Sequence, residues 1–209
     1  PFGREVVAEM NRLGMIIDVA HASDETFYDV LEYSRAPIVS THSCCRALAH
    51  HRRNMSDEML RALADKGGVI QINFYPVFLS DAFAKTLADS GLESKSWTEQ
   101  DWINDPLNPE KAAAWNAVLD EFAALPRPSY KDVVDHIDHA VKVAGIDSVG
   151  IGTDFDGIEV TPAGLENISK IGVIFDEMSS RGYTDDQIEK VAGKNFLRVF
   201  NDVTSLTAK

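Results

Sequence analysis

Four short apolar runs stand out along the chain between segments that have helical periodicity. The runs cover residues 15–20, 37–41, 69–74 and 148–153, and most positions in each are apolar. Such runs are typical of strands that are buried on both faces of a parallel sheet. The segments between them carry helical spacing and helix-capping residues. The pattern therefore predicts an α/β fold built from four βα units.

A parallel sheet of four strands leaves both of its edges unpaired. It could stand alone as a small doubly wound fold, or it could supply half of an eight-stranded (β/α)8 barrel. We expect the half barrel, in which the outer strands pair with strands that are not present here. Residues 76–128 break the βα rhythm and predict a helical insertion, which is either a lid, an oligomer contact such as that of a homodimer, or a passive decoration.

The charge balance of the chain excludes two classes of partner. The 209 residues include 20 Lys and Arg against 33 Asp and Glu, which gives a formal net charge of −13. A surface this acidic argues against binding to nucleic acid or to an anionic membrane.

No apolar run is long enough to predict a membrane span. The two cysteines, Cys44 and Cys45, are adjacent, so we expect free buried thiols and no disulfide framework.

Two of the predicted strands lead directly into a histidine, His21 and His42. The helix between these strands starts after Ser23, so the unit is strand, helix, strand, and the two strands are parallel neighbours. Both histidines then lie at the carboxyl edge of the sheet, where parallel α/β folds place their chemistry. Two neutral imidazoles at this edge could bind a metal, or they could simply cap their strands.

The other two strands deliver Asn73 and Asp154 to the same edge. Two histidines and one carboxylate match a hydrolytic zinc site, in which the metal lowers the pKa of bound water to about 7. Asp154 could be a ligand, a free general base or a cap of the following loop. A guanidinium of Arg52 or Arg53 could bind a substrate carboxylate, although arginine pairs are more often plain surface charge.

Other polar motifs give no convincing site. His50 and His51 are expected to face solvent, and His136 and His139 lie on a predicted outer helix and are expected to be structural. The run that starts at Asp154 resembles the beginning of an EF-hand loop but lacks its remaining acidic positions and flanking helix. The sequence contains no phosphate-binding glycine loop and no nucleophile elbow.

Eight segments of the chain carry a family resemblance: IIDVAHAS, RAPIVSTHS, HRRNMSDEML, GGVIQINF, HIDHAVKVAG, GIGTDFDGI, PAGLENISK and NFLRVF. In this order they resemble the zinc-dependent dipeptidases of the membrane (renal) dipeptidase family. The resemblance covers nearly the whole chain except residues 76–128. It is specific, because many segments match in one order.

The resemblance implies a (β/α)8 TIM-type barrel of the amidohydrolase type, of which this chain supplies roughly strands five to eight. It implies two Zn²⁺ ions in the complete site and hydrolysis of the peptide bond of a dipeptide through a metal-bound hydroxide. His21 and His42 match the ligands of the second zinc. Arg53 matches the arginine that binds the substrate's C-terminal carboxylate, and Asp154 matches the aspartate assigned to substrate binding and proton transfer.

The resemblance lacks the N-terminal part of the family's site. No segment matches its first His-x-Asp pair, its bridging glutamate or a further substrate-binding histidine. We therefore expect residues 1–209 to be the C-terminal half of one barrel domain, with weak zinc binding and no turnover without an N-terminal half as partner. Two alternatives stay open: a relative that acts on another amide or a lactam, and a non-catalytic binding, maturation or structural protein. The sequence does not indicate a compartment.

Overall fold

The computed structural model describes residues 2–208 and contains three parallel strands that alternate with helices. The strands are β1 Val39–Ser43, β2 Val69–Asn73 and β3 Val149–Thr153, in the spatial order β1-β2-β3. The predicted α/β class with a parallel sheet is confirmed.

Helices connect and surround the strands. The α-helices of the described chain are α1 Phe2–Leu13, α2 Asp24–Tyr33, α3 Asp57–Asp65, α4 Pro76–Leu79, α5 Asp81–Ser90, α6 Trp97–Asn104, α7 Pro109–Ala124, α8 Tyr130–Ala144, α9 Gly172–Ser180, α10 Asp185–Glu189 and α11 Asn195–Thr204. Helices α10 and α11 do not form one continuous α-helix, because the backbone leaves helical geometry at Gly193 between them. None of these helices has the length and apolarity that crossing a membrane requires.

The strand predicted over residues 15–20 is wrong as a full strand. One isolated parallel bridge joins Asp18 to Val39, and Val19 N donates to Val39 O at 2.9 Å. The ladder stops there because Asp18 Oδ1 accepts the hydrogen bond of Thr41 N at 3.0 Å, in place of a backbone carbonyl. Within residues 2–208 the sheet therefore has three strands, with residues 15–20 as an extended edge.

The strand predicted over residues 37–41 is displaced along the chain. It starts only at Val39, since Pro37 has no amide hydrogen to donate to a ladder. It then continues through His42 to Ser43, so this histidine lies inside the end of β1 and not after it.

The main core lies on the face of β2 that carries Ile70 and Ile72, which are fully buried with residues of α3 and α8. Leu60 and Leu63 of α3 are fully buried as well, as the spacing predicts. Ser56 caps α3 by accepting a hydrogen bond from Met59 N. The opposite face of β2 is covered less completely. Val69 on that face is buried against α11, but Gln71, the next residue on the same face, is partly exposed.

Helices α4 to α7 form the predicted helical insertion. Phe83, Trp115 and Phe122 form the centre of a separate small core, and Val160 joins it from the loop after β3. The insertion is thus packed against a loop at the carboxyl edge of the sheet.

Helix α1 buries only part of its apolar face. Val7 is buried, but Phe2, Val6 and Leu13 are 78%, 39% and 48% exposed. These three side chains line a shallow apolar groove together with Met15, at the start of the extended edge.

Candidate metal centre and substrate cleft

The structure brings the two predicted histidines into direct contact. Nε2 of His21 lies 2.9 Å from Nε2 of His42, and the ring centroids are 4.9 Å apart. His21 follows the extended edge and His42 lies near the end of β1, so the parallel arrangement of these segments accounts for the contact. The predicted proximity at the carboxyl edge is confirmed.

A directed chain of hydrogen bonds runs through both rings. Arg53 Nη1 lies 2.9 Å from Nδ1 of His21, and a guanidinium can only donate, so Nδ1 accepts and Nε2 carries the proton. His21 then donates to Nε2 of His42. Nδ1 of His42 donates to Thr41 Oγ1 at 2.8 Å, because the Thr41 hydroxyl itself donates to Asp18 Oδ2 at 2.5 Å.

The two ends of this chain, the Arg53 guanidinium and the Asp18 carboxylate, carry opposite charges. Burial, followed by the neighbouring Arg53 and His42, lowers the pKa of His21. A neutral imidazole is the form that binds metals. The electrostatics of the site therefore favour the neutral form of the His21 ring.

Arg53 is the predicted arginine that the structure places at the site. Its Nε donates to Ala20 O at 2.7 Å, and its guanidinium carbon lies 5.5 Å from the centroid of the Phe78 ring. Its Nη2 is buried and has no hydrogen-bond partner among residues 2–208. A buried donor without a partner is costly, so this atom points to an anionic ligand. The neighbouring Arg52 is exposed.

Asp154 is half-buried at the end of β3, in a turn of unusual backbone conformation. Thr153, Asp154 and Asp156 have φ values of 36°, 79° and 68°. Positive φ costs roughly 1–3 kcal/mol for residues other than glycine, and it clusters at functional sites. Asn73 Nδ2 donates to Asp154 Oδ2 at 2.8 Å. The sequence places both residues at this edge, but contains no signal for the strained turn, since none of the three residues is a glycine.

A cleft of about 940 Å³ opens beside the histidine pair. Its lining includes His21, Arg53, His51, Tyr75 and Phe78, but not His42 or Asp154. Its size suits a small organic ligand.

The expectation that both His50 and His51 face solvent is wrong for His51. His51 is half-buried, its ring centroid lies 4.5 Å from that of Phe78, and its Nδ1 accepts a hydrogen bond from Arg53 N at 3.2 Å. His50 is exposed, and its ring and its amide both bond to the Asp81 carboxylate at 2.7 Å. This pair joins the arginine loop to the insertion, which sequence reasoning did not predict.

The two histidines predicted to be structural, His136 and His139, make hydrogen bonds that hold neighbouring elements together. His136 is buried, accepts a hydrogen bond from Cys45 N at 3.0 Å and bonds to Leu79 O at 3.2 Å. His139 bonds to Asp57 at 2.7 Å. Cys44 and Cys45 are free and buried, and burial raises the pKa of the Cys45 thiol to about 12.

The donor set fits part of a zinc site. Two imidazole nitrogens on one tetrahedral zinc lie roughly 3.3 Å apart, which is close to the observed distance between His21 and His42. A zinc site needs at least one further protein ligand, and residues 2–208 contain no cluster of three or more His, Cys, Asp or Glu side chains that could hold a metal. The described residues thus offer two imidazole nitrogens to a metal and no third donor beside them.

The chain matches one peptidase family along its length. The family model described as membrane dipeptidase (peptidase family M19) matches residues 1–209. Two uncharacterized dipeptidases of Schizosaccharomyces pombe are 36% identical over 200 residues and 34% identical over 207 residues. The matches cover 95% and 99% of this chain but only 38% and 40% of those relatives, so the chain spans about two fifths of their length.

Solved structures with the same fold include the probable dipeptidase PvdM from Pseudomonas aeruginosa. It has a TM-score of 0.77 and 33% identity, and the match covers 99% of this chain and 55% of that one. A metallo peptidase from Rhodobacter sphaeroides, liganded with a phosphinate mimic of the dipeptide L-Ala-D-Ala, has a TM-score of 0.72 over 96% of this chain and 46% of that one. At 24% identity, the second likeness bears on the fold alone.

Proposed function

Since the chain belongs to the membrane dipeptidase family, peptidase family M19, we propose that it supplies part of the active site of a zinc-dependent dipeptidase. The reaction is hydrolysis of the peptide bond of a dipeptide. The observation that carries the proposal is the contact between His21 and His42, whose Nε2 atoms lie 2.9 Å apart beside the unpartnered Nη2 of Arg53. Two imidazole nitrogens and an unpartnered guanidinium donor thus meet at one edge of the sheet, which supports these roles.

In this proposal the chain is the C-terminal half of a (β/α)8 barrel, and the rest of the barrel completes the site. The matched relatives are more than twice as long as the matched segment of this chain, which supports the idea. The exposed apolar stripe of α1 and the partly exposed face of β2 at Gln71 are surfaces that a further barrel half would cover. A second half would also bring the ligands that the described residues lack.

His21 and His42 would hold zinc through Nε2, and zinc at this position supplies Lewis-acid polarisation of the scissile carbonyl and acidifies water. Arg53 binds the C-terminal carboxylate of the dipeptide through Nη2, while its Nε stays bonded to Ala20 O. The ring of Phe78 lies against the same guanidinium and keeps water from that side. The Asp154 carboxylate takes a proton from the attacking water and passes it to the leaving amine.

The zinc content and substrate range of the intact protein test this proposal. We expect bound zinc by elemental analysis and hydrolysis of dipeptides within a panel that also contains acylated amino acids and lactams. His42→Ala should lose zinc and hydrolysis, whereas His139→Ala, a matched control outside the site, should keep both. Hydrolysis of lactams without hydrolysis of dipeptides would identify the alternative substrate class, and an intact protein with neither zinc nor activity would refute the proposal.

A further inference from the structure

We propose that Asn73 is a positioning residue, whose side-chain amide holds the Asp154 carboxylate in the orientation that proton transfer needs. The inference rests on the role proposed for Asp154 above. It assigns a task to a strand-end residue that is neither a metal ligand nor a contact of the substrate.

The hydrogen bonds of Asn73 determine which way its amide points. Oδ1 of Asn73 accepts a hydrogen bond from Tyr75 N at 2.5 Å, so the other end of the amide must be the NH₂ group. That group donates to Asp154 Oδ2 at 2.8 Å and lies 3.5 Å from His42 O. The Asn73 side chain thus links the end of β2 to the ends of both neighbouring strands.

Burial makes this link rigid. Asn73 has an exposed fraction of 0%, whereas Asp154 is half-buried and still reaches the carboxyl edge. A buried amide that satisfies a backbone amide and a carboxylate at once has no alternative orientation of similar energy. The donor that faces Asp154 is therefore fixed.

The turn that carries Asp154 needs such a link. Thr153, Asp154 and Asp156 all have positive φ, and the β-branched Thr153 is an uncommon residue in that region. Backbone of this kind persists only where its surroundings hold it. The bond from Asn73 ties this turn to the end of β2 through the Asp154 side chain.

Gly157 fixes the same carboxylate from the opposite side. A Cβ at position 157 would lie 2.6 Å from Asp154 Oδ1, so only glycine leaves room for this rotamer. One oxygen of Asp154 is thus bonded to Asn73, and the other lies against the backbone of Gly157. A carboxylate confined at both oxygens is preorganised for proton transfer.

Asn73→Asp in the intact enzyme tests the proposal most sharply. The variant keeps the size of the side chain and the acceptor for Tyr75 N, but it replaces the donor with an oxygen that repels Asp154. We expect kcat for dipeptide hydrolysis to fall about 100-fold, as for a misplaced catalytic group. KM should change by less than about threefold, because Arg53 binds the substrate independently.

Two further variants separate positioning from stability. Asn195→Asp is the matched control: Asn195 is also buried, but it donates to Ile146 O and Val149 O at the far end of β3. It should destabilise the protein and leave kcat of the folded enzyme unchanged. Gly157→Ala should reproduce the loss in kcat, because it displaces the same carboxylate while Asn73 is intact.

Asn73→Asp with kcat within about threefold of the parent would overturn the proposal, as would a crystal structure of this variant in which the Asp154 carboxylate has not moved. A loss that merely follows the unfolded fraction, as in Asn195→Asp, would also overturn it. If the parent enzyme hydrolyses no dipeptide, the proposed function fails, and the position of the Asp154 carboxylate in the crystal structures still decides the role of Asn73.

Discussion

The two sides of the carboxyl edge differ in how far the chain satisfies its own polar groups. Between β2 and β3, Asn73 bonds both to Asp154 and to the backbone of the following turn. Beside β1, His21 and His42 bond to each other, and Arg53 Nη2 is buried without a partner in the part of the chain that the structure describes.

Apolar residues show the same contrast. Ile72 on β2 is fully buried, whereas Leu13 on α1 is 48% exposed in residues 2–208. One side of the molecule is thus closed by its own residues, and the other presents groups that need a ligand or a further piece of protein.

The largest effect is expected on the closed side. Ile72→Ala should lower the free energy of unfolding by about 2–5 kcal/mol, because it leaves a cavity in the core. Ile103→Ala, the same substitution at a residue that is 52% exposed on α6, should cost less than about 0.5 kcal/mol. Urea unfolding measures both, and equal costs would contradict the picture of a closed core at β2.

On the side with unpartnered polar groups, we expect the larger effect on substrate binding from a substitution of Arg53. Arg53→Ala should raise KM for dipeptides by roughly 10- to 100-fold, as expected for a lost hydrogen bond between charged groups worth about 1.5–3 kcal/mol, and should change kcat less. Arg52→Ala is the neighbouring control and should change KM by less than about threefold. Steady-state kinetics that place the larger effect on Arg52 would remove the assignment of Arg53.

The buried His136 makes stability depend on pH. Burial lowers its pKa from 6.5 to about 4 in the folded protein. Between these values the unfolded chain binds a proton that the folded chain does not, so stability falls as the pH drops from 6.5 and levels off below about 4. We expect a loss of about 2 kcal/mol between pH 7 and pH 5. His136→Gln should flatten this slope in urea titrations; an unchanged slope would assign it to other groups.

The smallest effect tests whether α1 is covered in the intact protein. If a further barrel half packs on its exposed stripe, Leu13→Ala should cost more than about 1 kcal/mol. If Leu13 stays exposed in the intact protein, the substitution should lower the free energy of unfolding by less than about 0.5 kcal/mol. That result would count against a covered stripe.

The fold class and the meeting of the histidines could be predicted from the sequence, because apolar runs identify parallel strands and parallel strands end at one edge. The extent of the first strand could not. Residues 15–20 have the right hydrophobic pattern, but the side chain of Asp18 captures the amide of Thr41. A side chain that competes with the backbone in this way is visible only once the two segments are placed side by side.

The backbone conformation at Asp154 and the packing of His51 could not be predicted from the sequence either. Asp154 could be chosen from its position, but its positive φ depends on support from Asn73, which is distant in sequence. His51 looks like a solvent residue in a charged loop, and only tertiary packing places it on Phe78. Such features arise from contacts between elements, to which periodicity and capping rules do not extend.

The direction of the hydrogen bonds through the histidine pair has a consequence for how ligands communicate. A neutral imidazole carries one proton, and the bond from Arg53 keeps that of His21 on Nε2. To bind a cation through Nε2, the neutral His21 ring must carry its proton on Nδ1. That proton would point at the N–H group of Arg53 Nη1, which now donates to Nδ1. Cation capture and the bond between Arg53 and His21 are therefore mutually exclusive. A cation bound at this ring would free Arg53 Nη1 as a second donor for an anion beside Nη2, so the two ligands would be coupled through the position of a single proton.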